Sequence, residues 1–529
     1  MKSKLLLLLL ATPFITLAQN QSTSQIIDET FRSYTGWFVE AIFYAIPFTE
    51  SVQIPWVLIV LIGGAIYFTL TFNFAQIRLL KTSIKVVKGD YDTIDKKGAQ
   101  DVHPSEDDLT MIDGDLPETI KVEGHHGEVS HFQALTAALS ATVGLGNIAG
   151  VAVALSIGGP GATFWMILAG LLGMASKFAE CTLGVKYRDV DSDGTVYGGP
   201  MYYLTKGLKE KGMGGFGKVL AVFFAVMVVG GSFGGGNMFQ ANQAAAQFVE
   251  LFAITNENAG LFFGIIMAVI VAVVIIGGIK RIASVTEKIV PFMAIIYVGA
   301  ALVIIILDFK LVPDAFKLIL EGAFSPMGIG GGFIGVLVQG FRRGTFSNEA
   351  GVGSAAIAHS AVKTKYPASE GIVALLEPFI DTVVICTMTA LVLVITNIKG
   401  GFFEYGVEIK QGVEITATAF DSVIPHFSIV LTIAVILFAF STMISWSYYG
   451  MQGWKFLFGK GKFTDLVYKI LFLFFVIVGS SISLGAVIDF SDAMIFAMVV
   501  PNMIGAVLLT PKIRQELNKY LKAIKVKKS

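Results

Sequence analysis

Stretches of twenty or so apolar residues recur along this chain, and they constrain its fold more than any other feature. Examples are "VLIVLIGGAIYFTLTF" at 57–72, "LFFGIIMAVIVAVVIIGG" at 261–278 and "IIYVGAALVIIIL" at 295–307. A helix needs about 20 such residues to cross the hydrocarbon core of a bilayer, and within lipid the backbone must satisfy its own hydrogen bonds. On that rule eleven membrane-spanning helices are predicted, near 54–77, 132–157, 161–184, 218–248, 260–279, 288–307, 329–358, 370–397, 427–454, 465–486 and 491–510. Composition agrees: 54% of the 529 residues are hydrophobic and 15% charged, against about 25% charged in soluble domains. An all-α polytopic membrane protein embedded in a lipid bilayer is expected. The formal net charge of zero suggests no nucleic-acid partner. Cys181 and Cys386 both fall in apolar segments and read as small buried hydrophobes.

Residues 1–18, "MKSKLLLLLLATPFITLA", combine a basic start with an apolar run and small residues. That pattern predicts a secretory signal peptide, with a short extra membrane helix as the alternative. An extra N-terminal helix is expected at 54–80, a hydrophilic and mostly acidic insertion at 89–130, and a basic tail at 511–529. Most of the 39 basic residues then fall on one side, so the positive-inside rule puts the mature N-terminus outside and the C-terminus in the cytoplasm. His125, His126 and His131 sit close together, but a cluster without a fixed ligand frame is expected to be solvated rather than metal-bound.

Beyond the first span the other ten divide into two sets of five, 132–307 and 329–510. Because five is odd, the sets enter the membrane in opposite directions, which is the arithmetic of an inverted repeat. The first helix of each set is interrupted by glycine and polar residues. "ATVGLGNIAG" at 141–150 resembles a dinucleotide fingerprint, but its glycines are spaced one residue too far and no strand precedes it. Gly144, Gly146 and Gly150 lower the cost of leaving helical geometry, and Thr142 and Asn147 place side-chain oxygens beside the freed backbone. Such a break can hold a cation and a carboxylate together; tight helix packing through small residues is the alternative. "NEAGV" at 348–352, beginning at Asn348, is its counterpart to "NIAGV" at 147–151. Charged residues within spans are functional suspects by default. Lys177 and Glu180 stand three apart and suit a pair. Glu377 and Asp381 stand four apart, and Asp381 suits either a gating or proton-linked role or a hydrogen-bonded structural carboxylate. Arg342 and Arg343 suit either a cytoplasmic gate or a positive-inside anchor.

"ATVGLGNIAG" followed by "YGGPMYYL", "GSFGGGNMFQANQ", "RGTFSNEAGVGSAAIAHSA", "LLEPFIDT" and "FSTMISWSYYG" resembles the sodium:alanine symporters, the alanine or glycine:cation symporter family. The likeness covers about 132–510 in the same order. It implies a leucine-transporter-type fold with five plus five inverted helices and one additional N-terminal helix. It further implies import of a small neutral amino acid, alanine or glycine, with sodium across the bacterial inner membrane by alternating access. No enzymatic activity and no organic cofactor are expected; the rival reading is a channel or membrane sensor on the same fold. By this resemblance Thr142, Gly144, Gly146 and Asn147 bind substrate, joined by Gln240 from "GGGNMFQANQ", where Asn237 and Gln243 are weaker candidates. Thr442 and Trp446, one turn apart, line the pocket. Val143, Ser441 and Ser445 are candidate sodium ligands.

Overall fold

The computed structural model describes residues 23–49, 53–96, 127–192, 194–256, 258–324, 332–407, 412–482 and 484–528. The expected signal segment, His125, His126 and most of the 89–130 insertion lie outside the described residues. Helices dominate. Six among the described residues are long and apolar enough to cross a bilayer: Ala162–Lys186, Gly214–Leu251, Gly278–Leu307, Pro367–Gly400, Phe427–Phe458 and Val487–Leu508. A bent pair, His131–Thr142 and Leu145–Gly158, whose halves meet at 55°, makes a seventh when taken as one span. Shorter apolar helices, Trp56–Thr71 and Ala259–Ile275, occupy two more of the expected spans. Gly332–Asn348 and Lys462–Gly479 occupy the remaining two.

Burial separates an inner group from an outer one. Gly278–Leu307 exposes Phe292, Ile295, Leu302, Val303 and Ile306 while burying Met293, Tyr297, Ala301 and Ile304. Ala259–Ile275 likewise exposes Ile266, Val269, Ile270 and Val273 and buries Phe263, Met267 and Val271. A helix apolar on both faces, with one face uncovered, suits protein on one side and hydrocarbon on the other. At the centre, His131–Thr142 and the end of Gly332–Asn348 are enclosed and carry buried polar residues, among them Ser140, Thr142, Thr345 and Asn348.

Local chemistry starts and stops these helices. Ser130 Oγ accepts from the Gln133 amide (3.2 Å) while Gln133 Oε1 accepts from the Ser130 amide (3.1 Å), a capping box that satisfies free N–H groups at the helix start. Pro200 and Pro367 open their helices at the first turn, where a missing N–H costs nothing. His131 departs from the solvated state expected for it: it is buried and pairs with Glu370. Glu370 also accepts from His359 Nδ1 at 2.5 Å. The basic tail is a helix, Thr510–Lys528, held to the body by an ion pair between Lys186 Nζ and Glu516 (3.1 Å).

Candidate functional site

Two interruptions in buried helices meet at the centre. The first runs from Val143 to Ile148 and contains a single 3-10 turn, Leu145–Asn147. The second follows Asn348: Glu349 adopts a left-handed φ of 53°, and Gly351 and Gly353 have φ of 82° and 94°. A Cβ on Gly146 would lie 3.4 Å from Ser347 Cα, so the two breaks cross at backbone contact distance. Gly150 has a different place from the one expected. It lies inside the Ala149–Gly158 helix with open space around it, outside the break.

The asparagines at the breaks do the same work. Asn147 Oδ1 accepts from the Gly144 amide (2.8 Å), and its Nδ2 donates to Asp381 Oδ1 (2.7 Å). Asn348 Oδ1 accepts from the Ala350 amide (2.9 Å), and its Nδ2 donates to Thr382 Oγ1 (2.9 Å). Each side chain satisfies backbone that the break has freed, then anchors it to one of two neighbouring residues on a third segment. That segment, Phe379–Cys386, is π-helical, a rare geometry often found at functional sites. Asp381 Oδ2 also accepts from Ser347 Oγ (2.9 Å) and Thr382 Oγ1 (2.7 Å). Asp381 thus joins both breaks.

Between the breaks lies a cavity of about 10 Å³, counted as space for the centre of a water molecule, lined by Ala141, Thr142, Gly146, Gly235, Gln240, Phe346, Glu349, Trp446 and Ile495. It has room for about one water, and the residues that line it are buried. Trp446 forms one wall; its Nε1 donates to Glu349 Oε1 at 3.0 Å. The indole needs the glycine run on the facing helix, because a Cβ on Gly236 would overlap its Cβ and Cγ. The neighbouring π-helical turn, Gly234–Met238, brings those glycines to it. Gln240 Nε2 donates to Gly235 O (3.0 Å), and its Oε1 accepts from the Leu145 amide in the first break (3.4 Å).

The residues singled out from sequence divide by position. Thr142, Gly146, Gln240 and Trp446 line the cavity. Gly144 stands just behind it, where a Cβ would meet Thr442 Oγ1 at 2.5 Å and Gln240 Oε1 at 3.3 Å. Asn147, Asn348 and Asp381 fasten the breaks. Ser441 and Thr442 tie the first helix down: Ser140 Oγ donates to Ser441 O (2.7 Å), and Thr442 Oγ1 donates to Ser140 O (3.0 Å). Ser445 Oγ is buried without a hydrogen bond among the described residues, and Val143 is buried at the end of the first half-helix. Asn237 and Gln243 make contacts of a packing kind, to Phe472 O (2.7 Å) and Asn242 Oδ1 (3.1 Å). Sequence reasoning did not place Phe346, Glu349 and Ile495 at the cavity, nor Ser347, Thr382 and Cys386 beside Asp381. For Glu349 a signal existed, since it is a carboxylate inside a span.

The buried charges are partnered across elements. Lys177 Nζ reaches Glu377 Oε1 at 2.9 Å, closer than its helix neighbour Glu180 at 3.9 Å. Arg342 (Nε, 2.8 Å) and Arg343 both converge on buried Asp492. The cysteines are free and buried, as expected.

Comparison with known proteins follows the same lines. Residues 110–529 match the model of the sodium:alanine symporter family. The sodium/alanine symporter AgcS of Methanococcus maripaludis is 39% identical over 467 residues, 88% of this chain and 94% of that protein. The probable sodium/glutamine symporter GlnT of Bacillus subtilis is 32% identical over 474 residues, 89% of each. Among solved structures, MhsT in complex with L-phenylalanine superposes with a TM-score of 0.52. It shares 15% identity and covers 74% of this chain and 93% of that one. Its likeness is one of fold. The curated relatives are named as transporters and carriers, not enzymes. With its crossed helix breaks, buried polar cavity and match over most of its length, this multi-pass membrane protein belongs to the sodium:alanine symporter family.

Proposed function

We propose that the protein is a sodium-coupled symporter that imports a small neutral amino acid, alanine or glycine first, by alternating access. The observation that carries this reading is the buried cavity walled by both helix breaks and by Trp446. A substrate carboxylate at the break would take over amides that Asn147 and Gln240 now hold, those of Gly144 and Leu145, because a half-helix end presents N–H groups with a favourable dipole. Sodium is a hard cation that takes several oxygens. Its place in this reading is beside the carbonyl end of the first half-helix at Val143, with the hydroxyls of Ser441 and Ser445 as further ligands. The unpartnered, buried Ser445 Oγ supports that assignment. Gln240 and Thr442 hold the far side of the break, and the indole of Trp446 limits the side chain that can be enclosed. Each inward charge gains about 2.3 kcal/mol per 100 mV of membrane potential, and sodium binding to the closed form couples that gain to uptake.

The architecture that goes with this function is eleven spans, a five-plus-five inverted repeat after one extra helix, an outer N-terminus and a cytoplasmic C-terminus in a plasma membrane. Counterflow tests substrate class. Proteoliposomes loaded with unlabelled alanine, glycine or glutamine should accelerate entry of labelled alanine only where the internal amino acid is a substrate and sodium is present. Acceleration by none of the three would remove the amino-acid reading.

A further inference from the structure

We infer that Glu349 is the counter-charge for the ammonium group of the substrate, so that the cavity selects a zwitterion carrying a free α-amine. The inference rests on the transport reading above and assigns to it the pole opposite the helix break. Glu349 lines the same cavity as Gly146, Thr142, Gln240 and Trp446. It is 3% exposed. Its carboxylate is oriented by two neutral donors, Trp446 Nε1 to Oε1 (3.0 Å) and Ser354 Oγ to Oε2 (2.5 Å). Each oxygen keeps a second lone pair. Among the described residues no Lys, Arg or His nitrogen pairs with it. The buried cations around the site are committed elsewhere, Lys177 to Glu377 and Glu180, and Arg342 and Arg343 to Asp492.

A buried carboxylate without a cation is costly, and functional groups account for most such cases in membrane spans. Glu349 also carries a backbone cost. A left-handed φ of 53° is uncommon outside Gly, Asn and Asp, and strain of this kind clusters at ligand clamps. Glu349, the residue after Asn348, lines the same cavity as Gly146 of the first break. A zwitterion has a negative pole for that break and a positive pole for Glu349. Because the cavity as arranged admits only about one water, the side chains that narrow it, Phe346, Ile495 and Trp446, must move when the head group enters.

The test measures binding to the purified, full-length protein in detergent with sodium present. Glu349→Gln keeps the shape and, with its amide oxygen accepting from Trp446 Nε1 and its amide nitrogen donating to Ser354 Oγ, both contacts, but it removes the charge and should weaken L-alanine binding by roughly 30-fold or more. Affinity within threefold of wild type would overturn the inference. A second arm needs no mutation: propionate, which is alanine without its amine, should compete with labelled alanine for the wild-type protein at least roughly 100-fold more weakly than glycine does. Competition by propionate within tenfold of glycine would equally overturn it. Wild-type protein that binds no alanine, glycine or glutamine would instead overturn the transport reading itself, and this inference with it.

Discussion

Asn147 and Gln240 bring amides to the same helix break, yet their surroundings give them different duties. Asn147 holds the Gly144 amide and Asp381 and lies outside the cavity lining, so its loss leaves two buried groups short of a partner. Asn147→Ala should therefore lower stability by about 1–3 kcal/mol, seen as an earlier melt in detergent. Gln240→Ala leaves the Leu145 amide and Gly235 O without their side-chain partner, at a similar cost in stability, and should in addition weaken alanine binding roughly tenfold or more; unchanged affinity in Gln240→Ala would contradict its duty at the cavity. Gly236 offers a second check. Gly236→Ala should cost about 1–3 kcal/mol through overlap with the Trp446 indole. In a double-mutant cycle with Trp446→Ala, the two losses should fall short of additivity by about 1 kcal/mol or more. Part of this was legible in the sequence: glycines beside Thr142 and Asn147 mark a break, whereas Trp446 was placed at the pocket by the family resemblance. Glu349 was not placed, because a carboxylate after Asn348 reads as a flaw in a span until a left-handed turn aims it inward.

Among elements, the clearest join is at Asp492. The Gly332–Asn348 helix sends both Arg342 and Arg343 to that one carboxylate, on the helix Leu484–Leu508. The pair Arg343–Asp492 lies three residues before Phe346 and Ile495, which line the cavity, so the ion pair covers the cavity one helical turn away. Removing one side of a buried ion pair typically costs 3–5 kcal/mol. Asp492→Ala should cost about 3 kcal/mol or more, and part of that should return in Arg343→Met/Asp492→Leu. A melt for Asp492→Ala indistinguishable from wild type would show that the join is not structural. Sequence could not reveal this contact, since the partners stand about 150 positions apart. Nor could it reveal that Asp381 sits in a π-helical turn: that register shift separates Asp381, at the breaks, from Glu377, which faces Lys177, although four-residue spacing puts them on one face of an α-helix.

At the scale of the molecule, apolar length and composition sufficed to place the chain in a bilayer, and each segment expected to span it carries a helix. Boundaries were less legible. Trp56–Thr71 and Ala259–Ile275 are shorter than a straight crossing needs. The buried polar network was the least legible part, because a polar residue in a span reads the same whether it fastens a helix break or faces a substrate. Fold and family nevertheless converge on a carrier, and the central claim of the proposed function is coupling between an ion gradient and an amino acid. The most direct measurement is the time course of labelled alanine in proteoliposomes given an inward sodium gradient and an inside-negative potential. The account predicts transient accumulation above the external concentration, abolished when potassium replaces sodium or when an ionophore collapses the gradient. Entry that stops at equilibrium and proceeds equally fast without sodium would contradict it.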